Sequence, residues 1–240
     1  MAIPQPDSAL VEKLVYANRI LYDQGVVDAM GHVSVRHGGA PGVFLLSCNR
    51  APSLVRRADI VCYGLDGEAV SETAERPYLE RFIHAEIYRA RPDVVAVVHS
   101  HSPNVIPLGA TGHRLRPIFQ MAGFLGGGAA HFEIRDHAGN TDMLIRNPAL
   151  GAALAQSLGD CTCVLMRGHG STVVGASLEQ VVYRAIYAEV NARLQVSALG
   201  LGEVRYLNEE EAALAAAAND SQIGRSWSLW QRRIGSIDGA

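Results

Sequence analysis

The sequence predicts an α/β protein in which a sheet is covered on both faces by helices, and three observations predict it. Segments of period two recur along the chain. One further segment is wholly apolar, and between these stretches lie residues whose apolar side chains recur at helical spacing. At 240 residues with 48% hydrophobic and 19% charged content, the chain is long enough to bury such a core. We read positions 1–240 as one domain with short C-terminal helices from about residue 208, since no repeat or linker interrupts the pattern.

From Ser8 to Tyr22 the residues Leu10, Val11, Leu14, Val15, Ile20 and Leu21 make an apolar stripe, and Gly25 stops the helix. The period then changes to two. Residues His32–Arg36 and Val43–Ser47 read as strands joined by a turn containing Gly38, Gly39, Pro41 and Gly42. A third strand near Ile60–Tyr63 turns at Asp66-Gly67, and antiparallel pairing is expected of these early strands. A helix over Leu79–Arg89 leads through Arg91-Pro92-Asp93 into Val94–Val98, whose lack of alternation marks a strand buried on both faces. After the glycine run 126–128 come a strand over Ala129–Ile134 and a helix over Pro148–Leu158. Strands at Cys161–Met166 and Thr172–Val174 flank a turn at Arg167–Gly170. A long helix from Ser177 to about Leu199 ends at Gly200 and Gly202, and two short helices follow. Trp227 and Trp230, three apart, read first as a helix face packing on a neighbour, with a lid over a pocket as the other reading.

The formal net charge is -3 and the basic residues are dispersed, so nucleic acid is not an expected partner. No apolar run reaches the ~18 residues that span a bilayer. Asp7, Glu12 and Lys13 interrupt the N-terminal apolar pattern, which excludes a signal or transit peptide. Cys48, Cys62, Cys161 and Cys163 lack the spacing of a zinc knuckle and read as small buried hydrophobes in a reducing compartment. A cytoplasmic protein without a membrane partner is the expectation.

His99-Ser-His101 places two imidazoles on one face at strand period, at the end of a buried strand, where ligands bind in such folds. His169 lies between Gly168 and Gly170, which let the backbone turn sharply and leave the ring uncrowded. Three neutral imidazoles with an open position suit a catalytic zinc, manganese or iron ion. Each also has a plainer reading: a polar strand face for the pair, a turn residue for His169. Glu80 follows Pro77 and opens a helix, where a carboxylate gains from the dipole. Its chemical reading is as fourth ligand or as the general acid/base beside the metal. His84 would share the helical face of Glu80, as its partner or as a packed residue.

Taken in order, Gly31-His-Val-Ser-Val-Arg36, Glu80 with His84, Arg91-Pro-Asp93, His99-Ser-His101 and Arg167-Gly-His-Gly170 before a long helix resemble the class II aldolase/adducin family. The resemblance runs from about Leu10 to Leu201. It implies a three-layer α/β/α fold with a central, largely antiparallel sheet, metal ligands at His99, His101 and His169, and the acid/base group at Glu80. It also implies a homo-oligomer, usually a tetramer with sites at subunit interfaces, and a divalent cofactor, Mn2+ or Zn2+, with Fe2+ as a further option.

Sugar-phosphate members of that family bind phosphate through an asparagine, a Thr-Gly turn and a Ser-Ser pair. Here those places hold His32, Ser47-Cys48-Asn49-Arg50 and Tyr78-Leu79, so a phosphorylated sugar is disfavoured. His32, Ser47, Arg50 and Tyr78 become the expected substrate contacts, with His32 and Arg50 as donors to a flat aromatic acid. Arg76, Arg167 and Tyr206 are further options. The segments Ser47–Pro52, His99–Pro107 and Met166–Gly170 with Tyr183–Tyr187 are similar to the family's decarboxylase branch, which includes 3-hydroxy-2-methylpyridine-4,5-dicarboxylate and dihydroxyphthalate decarboxylases. The expectation is a metal-dependent lyase that decarboxylates a hydroxylated aromatic or heteroaromatic acid. Its rivals are an aldolase acting on an unphosphorylated hydroxy-keto acid, a non-haem iron oxygenase, and an adducin-like binding module without catalysis.

Overall fold

The computed structural model describes residues 4–70, 73 and 75–237. Helix α1 (Ser8–Asp23) is started by Asp7, whose carboxylate accepts from the Ala9 amide. Strands β1 (His32–Arg36), β2 (Val43–Ser47) and β3 (Ile60–Gly64) form the expected antiparallel meander. Helix α2 (Arg81–Ala90), strand β4 (Ala96–Ser100) and helix α3 (Val105–Thr111) follow, then β5 (Ala130–Phe132), α4 (Arg135–Ala138) and α5 (Pro148–Leu158). Strands β6 (Cys163–Met166) and β7 (Gly170–Gly175) lead into the long helix α6 (Leu178–Leu199), and α7 (Glu209–Asp220) and α8 (Ile223–Ile234) close the described chain.

The seven strands form one sheet in the order β3-β2-β1-β4-β7-β6-β5, antiparallel throughout except for the β5–β6 pair. Period-two alternation divides the core into two layers. On one face Val33, Val35, Leu45, Val98, Leu165 and Val173 pack with α1, α6 and α8; on the other Phe44, Leu46, Val97, Val164 and Val174 pack with α2 and α5. The sheet therefore lies between two helical layers, as a fold with helices on both faces requires. His32 and Ser34 alternate with Val33 and Val35, and His99 with Val98, which turns all three toward α2.

Several bounds differ from expectation for local reasons. The strand expected at Val94–Val98 begins two residues later and takes in His99 and Ser100, because the Val94 amide closes a turn onto the Arg91 carbonyl. Strand β5 is short because the chain bends into α4 at Arg135. Cys161 is only half-buried, since it lies in the turn before β6, whereas the other three cysteines are buried and all four are free. Trp227 and Trp230 pack into the core beneath α1 and α6, on the sheet face opposite the histidines, so the packing reading holds and the lid does not. Among the described residues no helix is long and apolar enough to cross a membrane.

Candidate metal centre

Cross-strand register builds the site. His32 of β1, His99 of β4 and Thr172 of β7 are consecutive Cα partners across three adjacent strands. Beyond the end of β4, His101 projects to the same side. His169 arrives from the β6–β7 turn, which Gly168 makes with a φ of +66°. Gly170 has a different role: a Cβ there would lie 2.0 Å from the Ser100 carbonyl oxygen, so its absence lets β7 close onto β4 and bring His169 to the pair.

Four groups converge as a result. His101 Nε2 lies 3.2 Å from His99 Nε2 and 3.0 Å from His169 Nε2, while Glu80 Oε2 lies 3.5 Å from both His99 Nε2 and His169 Nε2. All four ligand atoms fall within 4.8 Å of one another. A tetrahedron with metal–nitrogen bonds of ~2.1 Å has edges of ~3.4 Å, close to these separations. Neutral imidazoles that face one another through Nε2 present opposed lone pairs, an arrangement that a cation between them resolves. The donor set thus fits a divalent ion.

Tautomers agree with that use. The Thr172 hydroxyl donates to Met166 Sδ at 3.6 Å, leaving its oxygen to accept from His99 Nδ1–H at 3.3 Å and keeping the His99 Nε2 lone pair directed at the cluster. Burial lowers His99, and burial with neighbouring His99 pushes His101 down to about 4, so both rings are neutral at physiological pH, the form that binds metal. His169 Nδ1 is buried without a hydrogen-bond partner, which leaves Nε2 as its working atom.

Glu80 is the N-cap residue of α2 and not, as expected, within the first turn. Its side chain makes no capping bond; Oε1 accepts from the Ile145 amide at 2.9 Å and Oε2 faces the histidines. Burial alone would raise this carboxyl, but His99 and His169 outweigh it and hold the group well below the ordinary carboxylate range.

The expected substrate contacts lie in a second group, joined to the first through His32. The His32 ring sits 5.1 Å from that of His99 and 4.6 Å from that of Tyr78. The Tyr78 hydroxyl accepts from Ser47 Oγ at 3.3 Å and donates to the Arg50 carbonyl. The Arg50 guanidinium has a competing partner, its Nε lying 3.1 Å from Asp59 Oδ2. Arg167 is held in a bidentate pair with Glu133, and Tyr206 stacks on Arg116 away from the cluster. The sequence carried no signal for Thr172 or the Ile145 amide, because neither residue type nor spacing marks a hydroxyl or a backbone N–H that acts only through strand register or a loop. Ser34, which bonds His84, and Tyr88, which bonds Ser34, had a weak one: Ser34 alternates in phase with His32, and Tyr88 follows His84 by one helical turn.

Comparison with known proteins agrees with this architecture. Residues 12–196 match the Class II Aldolase and Adducin N-terminal domain. Decarboxylase tropJ of Talaromyces stipitatus is 37% identical over 253 aligned positions covering 95% of each chain. The 3,4-dihydroxyphthalate decarboxylase of Arthrobacter keyseri is 33% identical over 80% of this chain and 79% of its own. Among solved structures, an aldolase II superfamily protein from Pseudomonas syringae superposes with a TM-score of 0.79 at 22% identity over 97% of this chain and 94% of that one, a likeness of fold. The chain belongs to the class II aldolase and adducin family.

Proposed function

We propose that the protein is a metal-dependent lyase that releases carbon dioxide from a hydroxylated aromatic carboxylic acid. The observation that carries this reading is the convergence of three imidazole nitrogens and a carboxylate in a chain similar, over 95% of both lengths, to a protein named a decarboxylase. A second relative acts, by its name, on 3,4-dihydroxyphthalate.

In this reading His99, His101 and His169 hold the ion, and Glu80 stands beside it. When bound, a divalent cation supplies Lewis acidity that stabilises negative charge on substrate oxygen. Mn2+ and Zn2+ suit the donor set, and Fe2+ is the further option. Glu80 takes up a proton from solvent and delivers it to the ring carbon, whose bond to the carboxylate carbon breaks to release carbon dioxide; its Oε1 is fixed by the Ile145 amide, so Oε2 is the working atom. Tyr78 and His32 flank the ring. Arg50, whose Nε lies 3.1 Å from Asp59 Oδ2 and whose side chain is 30% exposed, pairs with a substrate carboxylate, and Ser47 orients Tyr78. The proposal carries with it a single domain, a homo-oligomer of tetrameric type and a cytoplasmic setting, in keeping with four free thiols.

The test is product analysis on metal-loaded protein with a panel of ortho-hydroxy aromatic carboxylates. Stoichiometric carbon dioxide with the decarboxylated phenol is the expected result. A free aldehyde from a hydroxy-keto acid, or oxygen uptake, would replace this reading with aldol cleavage or oxygenation. Inertness of the loaded protein toward all three classes would favour a binding module.

A further inference from the structure

A buried polar chain runs from the metal centre into the core. His32 Nδ1 lies 2.6 Å from His84 Nε2, His84 Nδ1 2.6 Å from Ser34 Oγ, and Ser34 Oγ 2.8 Å from the Tyr88 hydroxyl, which is 3.3 Å from the Val95 carbonyl oxygen. His84 and Ser34 are fully buried, and His32 and Tyr88 nearly so. No water is needed to satisfy the chain, so proton counting decides its direction.

A carbonyl oxygen only accepts, so the Tyr88 hydroxyl donates to Val95 and has no second proton for Ser34. Ser34 therefore donates its one proton to Tyr88 and accepts from His84 Nδ1–H. His84 Nε2 is left with a lone pair and accepts from His32 Nδ1–H. The proton of a neutral His32 is thereby spent inside the protein, and its Nε2 carries a lone pair. The opposite direction leaves the Tyr88–Val95 contact without a hydrogen and makes one bond fewer in a buried site, so it is disfavoured. His32 Nε2 has no protein partner among the described residues, and its ring lies 5.1 Å from that of His99 and 4.6 Å from that of Tyr78, between the metal centre and the expected substrate contacts.

We infer that His32 is a specificity-determining acceptor, its tautomer fixed by a relay through His84, Ser34 and Tyr88, so that a bare Nε2 receives the O–H of a substrate ring hydroxyl. The assignment reverses the donor role expected of His32 from sequence. An acceptor repels carboxylate or phosphate oxygens, which offer only lone pairs, and favours a hydroxyl. His84, Ser34 and Tyr88 are positioning residues, since none of them meets substrate. The choice of a ring hydroxyl rests on the decarboxylase reading, whereas the tautomer does not.

The test uses nitrogen-15-labelled, zinc-loaded full-length protein, in which proton–nitrogen correlations across the imidazole rings separate the two neutral tautomers without any substrate. His32, assigned by its loss in His32→Gln, should show a protonated Nδ1 and a bare Nε2. Tyr88→Phe should free the Ser34 proton to donate toward His84, reverse the relay and move the His32 proton to Nε2, with metal content unchanged. Ser34→Ala, a near-isosteric break, should likewise release the fixed tautomer. A wild-type His32 protonated at Nε2, or a tautomer that neither variant moves, would overturn the relay. For the ligand, a hydroxylated aromatic acid should out-compete its O-methyl ether, and that preference should fall about tenfold in Tyr88→Phe, the equivalent of one hydrogen bond. An unchanged preference alongside a reversed tautomer would overturn the hydroxyl assignment while leaving the decarboxylase reading to product analysis.

Discussion

At Glu80, burial and the neighbouring histidines act in opposite directions, and the histidines prevail, so the carboxylate is present over the whole physiological range. A general acid/base group is typically worth ~10²–10⁴ in rate. Glu80→Gln should therefore lower turnover by that factor while bound metal, measured by elemental analysis, is retained; unchanged turnover would remove Glu80 from the chemistry. Thr172 makes a second, quieter contribution by accepting from His99 Nδ1–H. Partners of metal-bound histidines are typically worth ~10–100-fold in affinity, so Thr172→Val should raise the metal Kd by that factor in a competition titration. His99, His101 and His169 were legible as a group because imidazoles at strand period and between glycines are conspicuous. Thr172 was not, because its importance comes from being opposite His99 across β4 and β7, and register is a property of the paired strands and not of either segment alone.

At the scale of elements, the amphipathic helices and alternating strands were legible because their periodicities are set by which face is buried. Their ends were less so. Strand β4 starts later than its apolar run because the turn at Arg91–Val94 takes the first residues, and its pairing with β1 and β7 carries it on through His99. The two glycines around His169 can be separated experimentally. Gly168→Ala meets no close atom but forces a left-handed backbone, a cost of ~1–2 kcal/mol. Gly170→Ala drives a Cβ into the Ser100 carbonyl, which cannot move without parting β4 from β7. Denaturant unfolding should show a larger loss for Gly170→Ala than for Gly168→Ala, with loss of bound metal in the former. Equal losses would show that β7 does not depend on that close approach.

For the whole molecule, sheet order and layering place the histidine face under α2 and leave α1, α6 and α8 to build the other core. That arrangement couples stability to pH through His84, which burial pushes down to about 3 from an ordinary 6.5. The unfolded chain takes up this proton first as pH falls, so the contribution is complete above pH 6.5 and lost progressively toward pH 3. The urea midpoint of metal-free protein should fall through that window, and less steeply in His84→Asn; equal slopes would contradict the buried neutral ring. The central claim, that three imidazoles hold one cation with Glu80 beside it, is tested most directly by metal content per chain in wild type and in His99→Ala, His101→Ala and His169→Ala. The account predicts one divalent ion per wild-type chain and its loss from each folded variant. A wild type without affinity for divalent ions, or variants that keep the full complement, would contradict it.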